Sequence, residues 1–192
     1  MIAAVVPAAG RGSRMGRPKL ALPVRGRPML ERVIVALCEG GANPVIAVTG
    51  PHDPALPSLA RAAGAEVCEL AIATPDMRTT VEHGLRWLEE RHQPRPDDAV
   101  LLTPGDLPFL DAATVRTLCE AWKRQPAATI LVPTHAGRRG HPALIAWRHV
   151  AGIRALPAGI GIDAYMRATN AGFVTVAASG CATDVDTAAE IT

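Results

Sequence analysis

Short apolar runs alternate with longer amphipathic stretches along the whole chain, and this pattern most constrains the fold. Runs at residues 2–6, 45–49, 65–70, 99–103, 129–132, 143–146 and 173–177 have the length and apolar character of buried strands. Between the first two, Met29, Leu30, Val33, Ile34 and Leu37 fall on one face of a helix that stops at Gly40 and Gly41. Further helices are expected over 57–63, with a stop at Gly64, and over 77–91, where Val81, Leu85 and Leu88 share a face. Two more are expected from an Asp111 cap to residue 124 and over 162–169. Strands and helices alternating at this spacing give right-handed crossovers and a sheet covered on both faces. The expected architecture is a three-layer α/β sandwich, Rossmann-like, with a mainly parallel sheet. Ligands of such sheets collect beyond the carboxyl ends of the strands, so the loops after strands are where chemistry is sought.

With 192 residues, no internal repeat and no low-complexity tract, the chain is expected to form a single domain over residues 1–192. Hydrophobic residues make up 48% and charged residues 20%, enough for a proper core, which excludes a disordered tail, a collagen-like fibre and a disulfide-stapled scaffold. No apolar run approaches the roughly 18 residues of a membrane span. The segment from Met1 to Val6 lacks the basic leader of a secretory signal, so a cytoplasmic location is expected. Cys38, Cys68, Cys119 and Cys181 match no zinc or redox spacing and are expected as small core residues.

The net charge of +2 conceals an asymmetry: residues 1–32 carry seven basic side chains against Glu31 alone, a local +6 that leaves the rest of the chain at −4. Such a field attracts phosphate. Aromatic residues are only 3%, which argues against base-stacking platforms and a nucleic-acid partner and for a small-molecule phosphate.

The loop after the first strand runs Pro7-Ala8-Ala9-Gly10-Arg11-Gly12-Ser13-Arg14-Met15-Gly16-Arg17-Pro18-Lys19. Its small residues let backbone amides approach phosphate oxygens, and Arg14 and Lys19 supply cations. A P-loop is excluded, because Lys19 follows Pro18 and precedes Leu20 rather than sitting in Gly-Lys-Ser/Thr. A dinucleotide fingerprint is a poor fit, because Gly10 and Gly12 comply but the third glycine position holds Met15. Lys19 is one of two lysines beside 18 arginines, and its compact ammonium can follow a phosphate through a reaction.

Ala8, Gly10, Ser13, Arg14, Met15, Gly16 and Lys19, followed by Leu22-Pro23 and Gly26-Arg27-Pro28-Met29-Leu30, resemble the signature of the nucleotidyltransferases, in particular the branch that loads molybdopterin with a nucleotide. The resemblance implies that Pro7, Ala8, Ala9, Gly10, Gly12, Ser13, Arg14, Met15, Gly16 and Lys19 bind the nucleotide, with Arg14 and Lys19 acting catalytically on its triphosphate. Nucleotidyl transfer needs a divalent cation, and the expected one is Mg²⁺, held by hard oxygen ligands. Asp106, in Gly105-Asp106-Leu107-Pro108, resembles the family's Asp-x-Pro element and is expected as catalytic residue and metal ligand. Asp184 and Asp186 resemble the D-x-D-T segment before the last helix, with Asp186 the expected second ligand.

Arg139, Gly140, His141 and Pro142 resemble the family's R-G-H-P element, which lies near the acceptor. Thr79 and Thr80 stand where relatives carry a serine-rich turn touching the nucleotide. The order Pro7-Ala8-Ala9-Gly10 resembles the cytidylyl-transferring branch, so CTP is favoured over GTP. The chain departs from that branch at residues 158–162, where its relatives carry an acidic Gly-Asp turn. The implied activity is transfer of CMP from CTP to a phosphorylated acceptor, molybdopterin foremost, with release of pyrophosphate. A sugar or alcohol phosphate acceptor is an alternative, as is a non-catalytic molybdenum cofactor delivery protein. The resemblance leaves room for a molybdoenzyme or its insertion chaperone as partner.

Overall fold

Strand β1 (Ile2–Ala8) runs through the middle of the sheet and serves two cores at once. Ala4, Val6 and Ala8 belong to one apolar cluster and Ala3 and Val5 to another, as the period-two alternation of a strand requires. A strand with both faces covered has no solvent side, which is why its sequence is continuously apolar. The computed structural model describes residues 1–10, 19–124 and 129–183.

After β1 come a small hairpin of β2 (Pro23–Val24) and β3 (Arg27–Pro28), then α1 (Met29–Gly40), β4 (Val45–Thr49), α2 (Leu56–Ala62), β5 (Glu66–Glu69) and α3 (Met77–His92). The chain continues through β6 (Ala99–Leu102), α4 (Ala112–Arg124), β7 (Ile130–His135), β8 (Arg138–Arg139), β9 (Ala143–Ala146), α5 (Val150–Arg154), α6 (Ile162–Ala168) and β10 (Gly172–Thr175). The main sheet has the order β10-β7-β9-β6-β1-β4-β5, with β8 paired to β7. β1 pairs in parallel with both β4 and β6, β4 with β5, and β7 with β10. β9 is antiparallel to both β6 and β7. One core packs α1, α2 and α4 against the sheet through Leu30, Ile34, Leu56 and Leu118. The other packs α3, α5 and α6 through Leu85, Leu88, Ile153 and Met166. The mainly parallel three-layer expectation holds.

Two glycines are required by geometry. Gly41 closes α1 at φ 103°, where its N–H donates to the Cys38 carbonyl at 3.1 Å. Gly84 lets α3 lie directly on the sheet: a Cβ there would stand 2.5 Å from Val5 Cγ1 and 2.8 Å from Val48 Cγ2. That close approach brings the N-terminus of α3 over the carboxyl ends of β1 and β4. Cys68, Cys119 and Cys181 are buried as expected, whereas Cys38 is exposed near the end of α1. Among the described residues, no helix is long and apolar enough to cross a membrane.

Candidate functional site

Because β1, β4 and β6 are adjacent and parallel, their carboxyl ends open on the same side. The loops that follow them, with the N-terminus of α3, line a cavity of about 490 Å³. Lys19 and Asp106 meet there, Lys19 Nζ lying 2.7 Å from Asp106 Oδ2. The side chains are only 16% and 21% exposed, so the pair is largely shielded from solvent. The packing that holds the two loops together is visible at Gly105, where an added Cβ would meet Leu20 Cδ1 and Leu30 Cδ1 at 3.3 Å each. Leu20 in turn accepts a hydrogen bond from the Leu30 N–H at 3.0 Å, tying the residue after Lys19 to the start of α1.

Pro7, Ala8, Ala9 and Gly10 form one wall, and at Gly10 a Cβ would meet nothing within 4 Å, so this backbone faces open space. Across the cavity, Asp76 caps α3: its Oδ1 accepts from the Thr79 N–H at 2.7 Å. That backbone donor, with the Thr79 hydroxyl, holds the Asp76 carboxyl below the usual carboxylate range. Thr80 is buried and lines the cavity, its hydroxyl 2.5 Å from that of Thr74 and 3.1 Å from the Asp76 carbonyl. Thr79 sits on the helix surface beside a separate cleft with Glu82 and Arg86.

The loop after β4 supplies residues that the sequence pattern did not single out. Gly50 presses against the first loop, its Cβ position only 3.0 Å from Ala9 Cβ. His52 and Asp53 then enter the cavity wall. Asp53 is 9% exposed; its Oδ1 accepts from the Ala55 N–H at 3.1 Å and its carbonyl from the Leu56 N–H at 3.3 Å, starting α2. Its Oδ2 is buried without a hydrogen-bond partner. The only sequence signal was an Asp ahead of a helix, which reads as an ordinary cap.

A second, smaller cavity of about 250 Å³ adjoins the first, sharing Pro7, Met77 and Pro104 with it. Its walls are largely apolar, with Val81, Leu102, Ile162 and Met166 beside His141, Arg78 and Asp163. His141 is exposed, and its N–H donates to the Cys181 carbonyl at 2.7 Å. Gly140 is buried against the same segment: a Cβ would stand 2.5 Å from the Cys181 oxygen, so packing alone demands glycine. Pro142 is buried and follows a cis peptide bond. Arg139 does not line this cavity itself; its guanidinium lies 3.7 Å from Asp163 Oδ1, which does, and 5.3 Å from the centre of the Phe173 ring. Arg78, which sequence reasoning passed over, donates from Nη1 to the carbonyls of Leu156, Pro157 and Ile160 at 3.1, 2.7 and 3.0 Å. One cation thereby fixes the 156–160 turn against the N-terminal end of α3.

The structure thus brings Pro7 to Gly10, Lys19, Thr80 and Asp106 to one cavity and His141 to its neighbour. Gly12, Ser13, Arg14, Met15 and Gly16, and at the other end Asp184 and Asp186, lie outside the described residues. Among the described residues no three His, Cys, Asp or Glu side chains gather as a metal-binding group. Asp106 offers a hard carboxylate oxygen in the cavity, the kind of donor that fits a divalent cation completing its shell with phosphate and water.

A mainly parallel sheet with flanking helices and this strand-end cavity is the α/β fold of the nucleotidyltransferases. The chain belongs to the MobA-like NTP transferase domain family, whose profile matches residues 4–172. The bifunctional protein GlmU of Syntrophomonas wolfei is 30% identical over 136 residues, covering 68% of this chain and 28% of that protein. The chain therefore spans about a third or less of the length of such curated relatives. Among solved structures, Rv0371c from Mycobacterium tuberculosis H37Rv superposes with a TM-score of 0.77 at 25% identity, covering 99% of this chain and 95% of that one. A complex of Rv0371c with manganese gives a TM-score of 0.64 at 24% identity over 91% and 87% of the two chains. A CMP:2-keto-3-deoxy-manno-octonic acid synthetase complexed with CTP gives 0.71 at 20% identity over 98% and 94%.

Proposed function

We propose that this domain transfers CMP from CTP to a phosphorylated small-molecule acceptor, molybdopterin foremost, with release of pyrophosphate. The observation that carries the reading is the Lys19 and Asp106 pair facing the Pro7 to Gly10 backbone in one strand-end cavity. A triphosphate needs a cation, amide donors and a carboxylate-held metal in one place. The CTP bound by the synthetase of the same fold and the manganese held by Rv0371c support the choice of donor and of a divalent cation.

In this mechanism an oxygen of the acceptor phosphate attacks the α-phosphorus of CTP, and the bond to the β-phosphate oxygen breaks, so pyrophosphate leaves with the electron pair. No protein nucleophile takes part. Lys19, joined by Arg14, neutralises charge on the leaving phosphates, and the backbone amides of Ala9 and Gly10 serve their oxygens. Asp106, with Asp186, would hold Mg²⁺, which supplies charge neutralisation across the phosphates. Thr80 and Asp76 shape the α3 wall against the nucleoside. The acceptor occupies the adjoining cavity, where His141 stands and Arg78 fixes the bordering turn. Since the cavities share Pro7, Met77 and Pro104, an acceptor phosphate at their junction can reach the α-phosphate.

The test incubates the protein with α-labelled CTP, Mg²⁺ and a panel of acceptors: molybdopterin, sugar phosphates and simple alcohol phosphates. Label transfer to molybdopterin with stoichiometric pyrophosphate is expected. Transfer only to a sugar or alcohol phosphate would replace the acceptor; retention of molybdopterin without any pyrophosphate would make the domain a carrier rather than an enzyme.

A further inference from the structure

The Lys19 and Asp106 pair and the Asp53 carboxylate line one cavity from either side of β1. Asp106 follows β6, Asp53 follows β4, and β1 lies between them in the sheet. Triphosphate on the Lys19 side therefore directs the nucleoside toward Asp53. Asp53 is more than nine-tenths buried, and its two oxygens are unequal: Oδ1 is committed to the Ala55 N–H, while Oδ2 is a buried acceptor with no donor. A buried carboxylate oxygen left unsatisfied is costly, and a donor on a bound molecule would relieve it.

We propose that Asp53 determines base specificity: its Oδ2 accepts a hydrogen bond from the exocyclic amino group of the nucleotide base, so the site takes cytosine and refuses uracil. An ionised carboxylate can only accept. The cytosine amino group donates to it, whereas the uracil oxygen at the same ring position is a second acceptor and repels it. The β4 loop is held in register for this contact by Gly50, whose closeness to Ala9 locks it against the first loop. The proposal rests on the nucleotide reading of the cavity and adds to it the residue that chooses the base.

The asymmetry of Asp53 supplies a sharp test in Asp53→Asn. Because the Ala55 N–H needs an acceptor, the asparagine oxygen takes the Oδ1 place and its NH₂ falls at Oδ2. The variant then presents a donor where the native protein presents an acceptor, with the cap of α2 retained. Binding of CTP and UTP with Mg²⁺ is measured by calorimetry for both proteins, and for the native protein also with a CTP analogue lacking the amino group and with 2′,3′-dideoxy-CTP. The native protein is expected to prefer CTP over UTP by about tenfold to a hundredfold, the span of one charge-assisted hydrogen bond. The amine-free analogue should bind as weakly as UTP, and Asp53→Asn should narrow or reverse the preference. Equal native affinity for CTP and UTP would overturn the proposal. So would an equal loss of both nucleotides in Asp53→Asn, or a loss confined to the dideoxy nucleotide, which would assign the carboxylate to the ribose. The native comparison with the analogue decides the matter even if the variant fails to fold. Absence of binding by any nucleotide would instead remove the nucleotide reading itself.

Discussion

Replacing Lys19 with methionine keeps the length and apolar stem of the side chain and removes its charge. At the observed 2.7 Å, the pair with Asp106 has a gross Coulomb energy of about 6 kcal/mol at an effective dielectric of about 20. Desolvation and residual solvent access reduce the net contribution to about 1–2 kcal/mol. For a chain of this size each kcal/mol moves the melting temperature by about 2–4 °C, so Lys19→Met should melt about 2–8 °C lower and remain folded. Turnover should suffer far more. Removing one preorganised positive contact from a transition state that gathers charge on phosphate costs about 3–4 kcal/mol, or a factor of about 10² to 10³ in rate. The assay is pyrophosphate release with CTP, Mg²⁺ and acceptor, run beside a melting curve. Lys19→Arg should recover most of the stability and little of the rate, because a planar guanidinium does not reproduce a compact ammonium. Turnover of Lys19→Met within about fivefold of the native rate would refute the assignment, since one charged contact is worth far more.

Gly84→Ala forces a methyl group to within 2.5 Å of Val5 Cγ1, so thermal denaturation should show a loss of about 1–3 kcal/mol. Arg78→Met removes three hydrogen bonds to the 156–160 turn and should raise the acceptor KM several-fold while leaving CTP affinity, measured separately by calorimetry, unchanged. Asp76 titrates below its ordinary range in the folded state, so its contribution is present at neutral pH and lost as pH falls through the folded-state value. Asp76→Ala should therefore cost about 1 kcal/mol near pH 7, with the difference from the native protein shrinking in strongly acidic urea titrations.

The sheet was legible because its strands are buried on both faces: Ala3 to Val6, Ile46 to Val48 and Ala99 to Leu102 leave little room for another reading. Strand direction was not, since the apolar run at β9 looks the same whether it pairs parallel or, as it does, antiparallel to β6 and β7. The β2 and β3 hairpin escaped because two-residue strands carry no periodicity, and proline stands in each. Lys19, Asp106 and Pro7 to Gly10, which line one cavity, could be singled out as candidates because glycines, a rare lysine and an acid after a strand are local signals. Asp53 and Arg78 could not. Their significance lies in one orphaned oxygen and three backbone carbonyls 78 to 82 residues away, contacts that only the folded chain brings together.

A thermal-shift series with CTP, GTP, ATP and UTP, each with and without Mg²⁺, reads out which nucleotide the native protein binds. A nucleotide present at about 100 times its dissociation constant stabilises the native state by about 2.7 kcal/mol, or about 5–11 °C for a chain of this length. CTP with Mg²⁺ is expected to produce the largest rise and UTP the smallest. A flat response to all four nucleotides at millimolar concentration would contradict the nucleotide reading of the cavity.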